Sequence, residues 1–118
     1  MSARLTEIVV DCTEPERLAE FWCSVLHWTV VDRDDDGSVE IGDGNQLPTL
    51  LFGPNPDAKT VKNRIHLDVR AEDGNQKAEV ERILRLGAKT LDIGQGNVSW
   101  VVLADPEGNE FCVLQGAP

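Results

Sequence analysis

The segment RIHLDVR, residues 64–70, carries two side chains suited to acid–base chemistry two positions apart. Its apolar and β-branched residues predict a strand, and alternation along a strand places His66 and Asp68 on the same face. If that face lines a cavity, Asp68 can orient the imidazole or a bound ligand. Otherwise each side chain is expected to have a structural partner, because a buried polar group without one is costly. Arg64 opens the strand and can position either a ligand or the preceding linker, and the sequence leaves both open.

The same spacing of polar residues recurs in the two halves of the chain. Glu7 precedes Glu14 by seven residues, and His66 precedes Asp73 by seven. Each pair marks the middle of a first strand and the start of a helix. The repeat is therefore one of pattern, since the halves share little sequence identity.

Each half predicts the element order β-α-β-β-β. The first module spans about 4–52, a proline-containing linker spans 53–63, and the second module spans about 64–116 of a single domain, 1–118. Hairpin-length turns such as DDDG and DPEGN separate most strands, which predicts mostly antiparallel pairing. With only two helices, the fold class is α+β.

The starts of both helices show capping patterns. Thr13 is followed three residues later by Glu16, and Asp73 is followed three residues later by Gln76. Both pairs predict a capping box, and the second helix is predicted from about residue 74 to 86.

Aromatic and thiol side chains occupy several of the predicted strands. Phe52, Trp100 and Phe111 either line a cavity, where they suit a flat or cationic ligand, or pack in the core. Cys12 and Cys112 lie in apolar strand-like runs, where a reduced cysteine acts as a small hydrophobic residue. No local sequence feature indicates a depressed thiol pKa, so catalysis by cysteine is not favoured.

The charge balance excludes some classes of partner. Eleven basic and 21 acidic side chains give a formal net charge of −10, which opposes nucleic-acid binding and favours a neutral or cationic ligand. No apolar run approaches the roughly 20 residues of a membrane helix, and the N-terminal MSARLTEIVV does not resemble a signal peptide. The predicted location is the cytoplasm.

Three segments in order resemble one protein superfamily. EPERLAEFW at 14–22, KNRIHLDV at 62–69 and LADPEGNEFCVL at 103–114 together resemble the glyoxalase/bleomycin resistance/dioxygenase superfamily, also called vicinal oxygen chelate. The DPEGNEF turn is the most specific of the three. The resemblance covers nearly the whole chain and is nearest to short glyoxalase-like domain proteins.

The resemblance implies a fold and a type of site. Two βαβββ modules pair into a cupped, mostly antiparallel sheet, the glyoxalase/bleomycin resistance fold, with a cavity between the modules. Enzymes of the superfamily bind a divalent metal there, through ligands on the first and last strands of each module. Other members bind a ligand without metal at a dimer interface. The superfamily pairs its modules within one chain or by exchange between two chains, and the 11-residue linker at 53–63 permits either, so a homodimer is expected.

The implied metal positions are only partly filled in this sequence. Glu7 and His66 match ligand positions on the first strands, Cys112 stands where a glutamate is usual, and Leu50–Phe52 offer no ligand. An intact superfamily metal site is therefore not predicted, because a catalytic metal usually has at least three protein ligands. An atypical divalent site of Glu7, His66 and Cys112 is the alternative.

Besides a partner protein whose cavity has become packed core, two functions with a small-molecule site remain open from the sequence. One is a small-molecule-binding protein without cofactor, with contacts from Phe52, Arg64, Asp68, Trp100 and Cys112. The other is an enzyme of the lyase or isomerase type, in which Glu7 and His66 transfer a proton. The alternative for Glu7 and His66 is a structural role, with Glu7 directed to solvent. Neither the ligand nor any catalysis follows from the sequence alone.

Overall fold

In the computed structural model, which describes residues 1–118, the chain divides into two units, Met1–Ala58 and Lys59–Pro118. The first unit consists of β1 (Glu7–Cys12), α1 (Pro15–Leu26), β2 (Thr29–Arg33), β3 (Val39–Gly42) and β4 (Thr49–Pro54). Its sheet has the strand order β1-β4-β3-β2, in which β1 and β4 are parallel and the other pairs antiparallel.

The second unit repeats this arrangement with shorter strands. It consists of β5 (Leu67–Val69), α2 (Gln76–Arg85), β6 (Lys89–Thr90), β7 (Val101–Ala104) and β8 (Glu110–Val113). The strand order is β5-β8-β7-β6, and again the first and last strands of the unit are the parallel pair. The predicted α+β class, the two βαβββ modules and the mostly antiparallel pairing are confirmed.

Each unit buries an apolar core. In the first unit α1 packs on β3 and β4, and its Leu18 and Trp22 are buried with Ile41 and Phe52 of the sheet. In the second unit the completely buried side chains are Ile83 of α2 and Leu103, Phe111 and Val113 of the sheet. Neither helix is long and apolar enough to span a membrane.

The predicted cap of α1 is wrong. The N-cap residue is Glu14, whose side chain makes no capping hydrogen bond, and Pro15 is the first helical residue. Proline is favoured at that position because its fixed φ suits the helix and its missing N–H needs no partner. The N-cap therefore lies one residue after the expected Thr13, and the helix begins at Pro15.

The predicted capping box of α2 is also wrong. Asn75 is the N-cap, and its Oδ1 accepts a hydrogen bond from the backbone N–H of Ala78 at 3.1 Å. Gly74, with φ of 77°, inserts a turn between Asp73 and the helix. Gln76 is directed elsewhere: its Nε2 donates to the carbonyl oxygens of Ser99 and Val113, each at 2.9 Å.

Candidate functional site

The second unit has a groove of about 410 Å³ on one face of its sheet. Seven of its lining residues follow the two-residue alternation of strands, so they share that face. These residues are His66 and Asp68 near β5, Trp100 and Val102 near β7, and Glu110, Cys112 and Leu114 near β8. Ile93–Gln95, in the segment between β6 and β7, and Lys62 complete the lining. We call this feature the second-unit groove.

A cluster of three metal-binding side-chain types lies in the second-unit groove. Asp68 of β5 is directly paired with Cys112 of β8, and His66 precedes Asp68 by two residues. The Nε2 of His66 lies 3.2 Å from Oδ1 of Asp68, and one ligand atom of each of the three residues lies within 4.8 Å of the others. The predicted common face of His66 and Asp68 is confirmed. His66 and Asp68 are about half exposed, whereas Cys112 is buried.

The surroundings of the Cys112 thiol favour its protonated form. Burial raises the pKa of this thiol, and the negative charge and hydrogen bond of Asp68 raise it further, while Lys62 opposes the shift in part. Since the thiolate is the nucleophilic form of cysteine, this environment argues against Cys112 as a catalytic nucleophile. The sequence, which has no local feature that would lower a thiol pKa, also gave no reason to expect catalysis by cysteine.

The buried carboxylate of Glu110 anchors the chain segment that leads to His66. Its Oε1 lies 2.9 Å from the Lys59 ammonium and accepts the backbone N–H of Asn63 at 2.9 Å. Burial raises the pKa of the Glu110 carboxyl, but these hydrogen bonds outweigh it and hold the pKa below its usual value. The sequence analysis did not single out Glu110. The alternation rule could have found it, because Glu110 is two residues from Cys112 and so shares its face.

The DPEGN turn supports the same region. Oδ1 of Asp105 accepts the backbone N–H groups of Glu107 and Asn109, each at 2.9 Å, and Gly108 has a φ of 87°. Oδ1 of Asn109 accepts Nδ2 of Asn63 at 2.8 Å, so the turn is tied to the segment before His66. Turn chemistry accounts for these residues, as expected.

One wall of the second-unit groove is apolar. Trp100 keeps 41% of its surface exposed although it is a large aromatic residue. It lies just before β7, so its expected place within the strand is wrong by one residue. Another part of the lining comes from Ile93–Gln95, where the side chain of Gln95 bonds the backbone of Ile93 and Leu91. The groove therefore joins an exposed indole to a polar end formed by His66 and Asp68.

The remaining predicted site residues lie outside the second-unit groove. Glu7 is exposed on β1 of the first unit, where the Thr6 hydroxyl donates to its carboxylate. Phe52 has no exposed surface and belongs to the core of the first unit. Arg64 is exposed in the segment before β5 and is not part of the groove lining. Ligand contacts by Phe52 and Arg64, and catalysis by Glu7, stay predictions.

The register of the two sheets shows that only one of them carries the three-residue cluster. In the first unit Val9 pairs with Leu51 where Asp68 pairs with Cys112 in the second, and Glu7 holds the place of His66. The first unit thus presents one potential ligand and two apolar side chains at the positions where the second unit presents three potential ligands.

Solved structures with similar folds come from several organisms. A glyoxalase/bleomycin resistance protein/dioxygenase family enzyme from Burkholderia phytofirmans PsJN is 15% identical, with 94% of this chain and 97% of that chain covered and a TM-score of 0.74. A mutant of the fosfomycin resistance protein FosX from Listeria monocytogenes, complexed with manganese(II) and 1S,2S-dihydroxypropylphosphonic acid, is 13% identical. The match covers 99% of this chain and 93% of that chain, with a TM-score of 0.75. Glyoxalase I of Leishmania major, described as trypanothione-dependent, is 17% identical over 97% and 87% of the chains, with a TM-score of 0.68.

At these identities the structural similarity shows the fold alone, which is that of the glyoxalase/bleomycin resistance/dioxygenase proteins. No curated protein is significantly similar in sequence. A family model described as "Glyoxalase-like domain" matches residues 7–114, which is nearly the whole chain. Fold, element order and sequence model agree, and the chain belongs to the glyoxalase-like domain family.

Proposed function

We propose that this chain binds a small molecule in the second-unit groove. The observation that carries the proposal is a concave site of about 410 Å³ with an exposed indole at one part and a histidine–carboxylate pair at another. Small-molecule sites have this size and this combination of an apolar lining with a few polar groups that fix orientation. The superfamily fold supports the proposal, since a similar structure, FosX, is complexed with a small phosphonic acid.

The lining indicates the chemistry of the ligand. The exposed face of Trp100 suits a flat or cationic group, which stacks on an indole. Asp68 accepts hydrogen bonds and favours a positive or hydrogen-bond-donating group, in keeping with the net charge of −10. A neutral or cationic ligand with one flat face therefore fits this lining.

A ligand screen with tryptophan fluorescence as readout tests the proposal. A library of small metabolites and antibiotics is screened by thermal shift, and hits are titrated while fluorescence is recorded. We expect the fluorescence change to disappear in Trp100→Phe and to persist in Trp28→Phe, whose half-buried indole lies in the first unit. A hit whose affinity and fluorescence change are the same in Trp100→Phe as in the unaltered chain would contradict binding in this groove.

The His66–Asp68 pair supports a second function, an enzyme of the lyase or isomerase type. A carboxylate 3.2 Å from the imidazole can fix its tautomer and stabilise its protonated form during proton transfer. Glu7 is the other predicted participant. Turnover of a bound hit that is lost in His66→Ala and reduced in Asp68→Asn would favour the enzyme. A hit that neither protein converts, and that binds His66→Ala as tightly as the unaltered chain, would favour the binding protein.

The donor atoms of this chain do not fit a hard metal site of the superfamily type. Manganese(II) prefers oxygen ligands, but Cys112 and Leu51 lie on the last strands of the two units, where such ligands would be needed. We therefore propose that the ligand is bound without such an ion. Metal analysis of protein purified without chelator tests this: stoichiometric manganese, lost in both Glu7→Ala and His66→Ala, would overturn it.

We also propose that the chain forms a homodimer. Val9, Val30 and Val31 expose apolar side chains on the outer strands of the first sheet, at 57%, 36% and 46% of their surface. Exposed apolar side chains on the edge strands of a sheet favour association with another chain. Light scattering coupled to size exclusion is expected to give twice the 13.0 kDa chain mass, and a value of one chain mass at all concentrations would exclude the dimer.

A further inference from the structure

We infer that His66, Asp68 and Cys112 form a binding site for a borderline divalent ion such as Zn²⁺, built entirely within the second unit. The inference goes beyond small-molecule binding and does not depend on it, because it rests on the three-residue cluster and not on the apolar wall. It also differs from the atypical site of Glu7, His66 and Cys112 considered from sequence, since Asp68 takes the place of Glu7.

The backbone brings the three ligands together. Asp68 and Cys112 are partners in the parallel β5–β8 ladder, and His66 follows the same alternation one step earlier. Their ligand atoms lie within 4.8 Å of one another. In a tetrahedral zinc site with bonds of about 2.0–2.3 Å the ligand atoms are roughly 3–4 Å apart, so small side-chain movements are sufficient. His66 and Asp68, at 42% and 46% exposure, have room for them.

The donor set selects the class of ion. One imidazole nitrogen, one carboxylate oxygen and one sulfur match the ligands that zinc accepts, while manganese and magnesium prefer oxygen alone. A thiol that coordinates a metal is deprotonated by it, so protonation of Cys112 in the metal-free chain does not prevent coordination. Three protein ligands leave the fourth position open toward the groove, where water or a ligand atom can occupy it.

The first unit gives an internal comparison. Its equivalent positions hold Glu7, Val9 and Leu51, of which only Glu7 has a ligand atom. The same fold with apolar residues at these positions shows that the β-α-β-β-β unit does not require polar side chains there. The coincidence of histidine, aspartate and cysteine at one place in the second unit therefore calls for an explanation beyond folding.

The test is titration of the full-length, chelator-treated chain with Co²⁺ and Zn²⁺. Cobalt reports on its ligands, because a thiolate ligand gives an intense charge-transfer band in the near ultraviolet and tetrahedral coordination gives strong visible bands. We expect one ion per chain, displacement of Co²⁺ by Zn²⁺, and loss of the charge-transfer band in Cys112→Ser. Zn²⁺ affinity is expected to fall at least tenfold in Cys112→Ser, Asp68→Asn and His66→Ala.

Two variants serve as matched controls. Glu7→Gln removes the ligand of the superfamily position in the first unit, and Cys23→Ser removes a half-buried thiol of α1. Both are expected to bind Zn²⁺ as the unaltered chain does, within about twofold. Circular dichroism and thermal unfolding show whether each variant is folded. If Cys112→Ser does not fold, Asp68→Asn still tests the site, because asparagine has nearly the same shape as aspartate.

Several outcomes would overturn the inference. They are the absence of stoichiometric binding, a charge-transfer band that survives Cys112→Ser, or a Zn²⁺ affinity that depends on Glu7 and not on Asp68. The proposed function is tested separately, by the fluorescence response of Trp100 in chelator-treated protein. Failure of zinc binding with retained ligand binding, or the reverse, therefore identifies which of the two statements is wrong.

Discussion

Glu110 is a buried charged side chain that joins two distant parts of the second unit. It is 4% exposed, and its partners Lys59 and Asn63 lie at the other end of the unit's sequence. A buried carboxylate is tolerated only when paired and hydrogen-bonded, and loss of its charge removes both the ion pair and the strongest hydrogen bonds. The ion pair therefore positions the segment that carries Lys62 and leads to His66.

Replacement of Glu110 measures this contribution. We expect Glu110→Gln to lower the free energy of unfolding by about 1–3 kcal/mol at neutral pH, because charged hydrogen bonds are replaced by neutral ones. Urea denaturation measures the change. Glu72→Gln, at an exposed position, is the control and is expected to have little effect. An equal effect of the two substitutions would show that the Glu110 ion pair is not important for stability.

Two aspartates of the first unit differ in pKa for reasons visible in their surroundings. The backbone N–H groups of Asn45 and then Gln46 donate to Asp43 and hold the pKa of its carboxyl below the usual value. The charge of Asp32, above all, raises the pKa of Asp34. The contribution of Asp43 to stability is thus present above its unfolded pKa and is lost as the pH falls through its folded pKa. For Asp34 the folded state disfavours the charged form, so acidification relieves a repulsion.

Carboxyl carbon chemical shifts measured by NMR across an acid titration check this assignment. Asp43 is expected to take up its proton at lower pH than Asp34. The variant Asp32→Asn is expected to lower the pKa of Asp34 and leave that of Asp43 unchanged. The reverse order of titration would contradict both the hydrogen-bond explanation for Asp43 and the charge-repulsion explanation for Asp34.

Sequence reasoning at this scale found the polar face but not its support. Alternation was enough to place His66 and Asp68 together, because it is a geometric property of strands. The Glu110–Lys59 ion pair joins residues about fifty positions apart in sequence, and no local pattern encodes such a contact. Cys112 was recognised through the family position it occupies, while its pairing with Asp68 required the register of β5 and β8.

At the scale of elements, the strands and helices lie where expected, but their ends do not. β5 has three residues, Leu67–Val69, because its only neighbour in the sheet, β8, is itself only four residues long. The predicted run from Arg64 to Arg70 has strand propensity throughout, yet a strand extends only as far as its partner provides hydrogen bonds. The predictions of the helix caps were wrong for a different reason. Several polar residues near the start of each helix could act as the N-cap, and Pro15 in α1 and Gly74 before α2 determine which residue does.

The N-cap of α2 provides a direct test at this scale. Asn75→Ala removes the side-chain acceptor for the Ala78 N–H and is expected to cost about 1 kcal/mol of unfolding free energy. Lys77→Ala, on the exposed surface of the same helix, is the control and is expected to be nearly neutral. If Asn75→Ala instead cost no more than Lys77→Ala, the hydrogen bond from the Ala78 N–H to Asn75 would not contribute to stability.

At the scale of the whole molecule, acidic charge predominates. The net charge is −10, and only a few of the acidic groups are neutralised by exposed ion pairs such as Arg33–Glu16 at 2.7 Å and Arg17–Glu14 at 3.3 Å. Exposed pairs of this kind contribute little to stability and often nothing measurable. Repulsion among the unpaired acidic groups destabilises the folded chain, and salt screens it.

Added salt is therefore expected to stabilise the chain. Calorimetry should show a Tm roughly 1–4 °C higher at an ionic strength of about 0.3 M than at about 0.02 M, at neutral pH. The added salt shortens the Debye length and so weakens the repulsion between acidic groups. Sodium and potassium chloride are expected to act alike, since the effect depends on ionic strength. A lower Tm in salt would show that the surface ion pairs outweigh the net repulsion.

The hydrogen bond from Asn63 to Glu110 has a consequence for exchange with solvent. Asn63 lies in a segment without helix or strand, where backbone amides usually exchange their protons with water almost freely. Its N–H, however, is bound at 2.9 Å to a carboxylate that is 4% exposed. In deuterium oxide the Asn63 amide should retain its proton far longer than those of Val61 and Arg64, and Glu110→Gln should remove much of this difference. Exchange at this one amide would thus report the opening of the Asn63–Glu110 hydrogen bond separately from unfolding of the sheet.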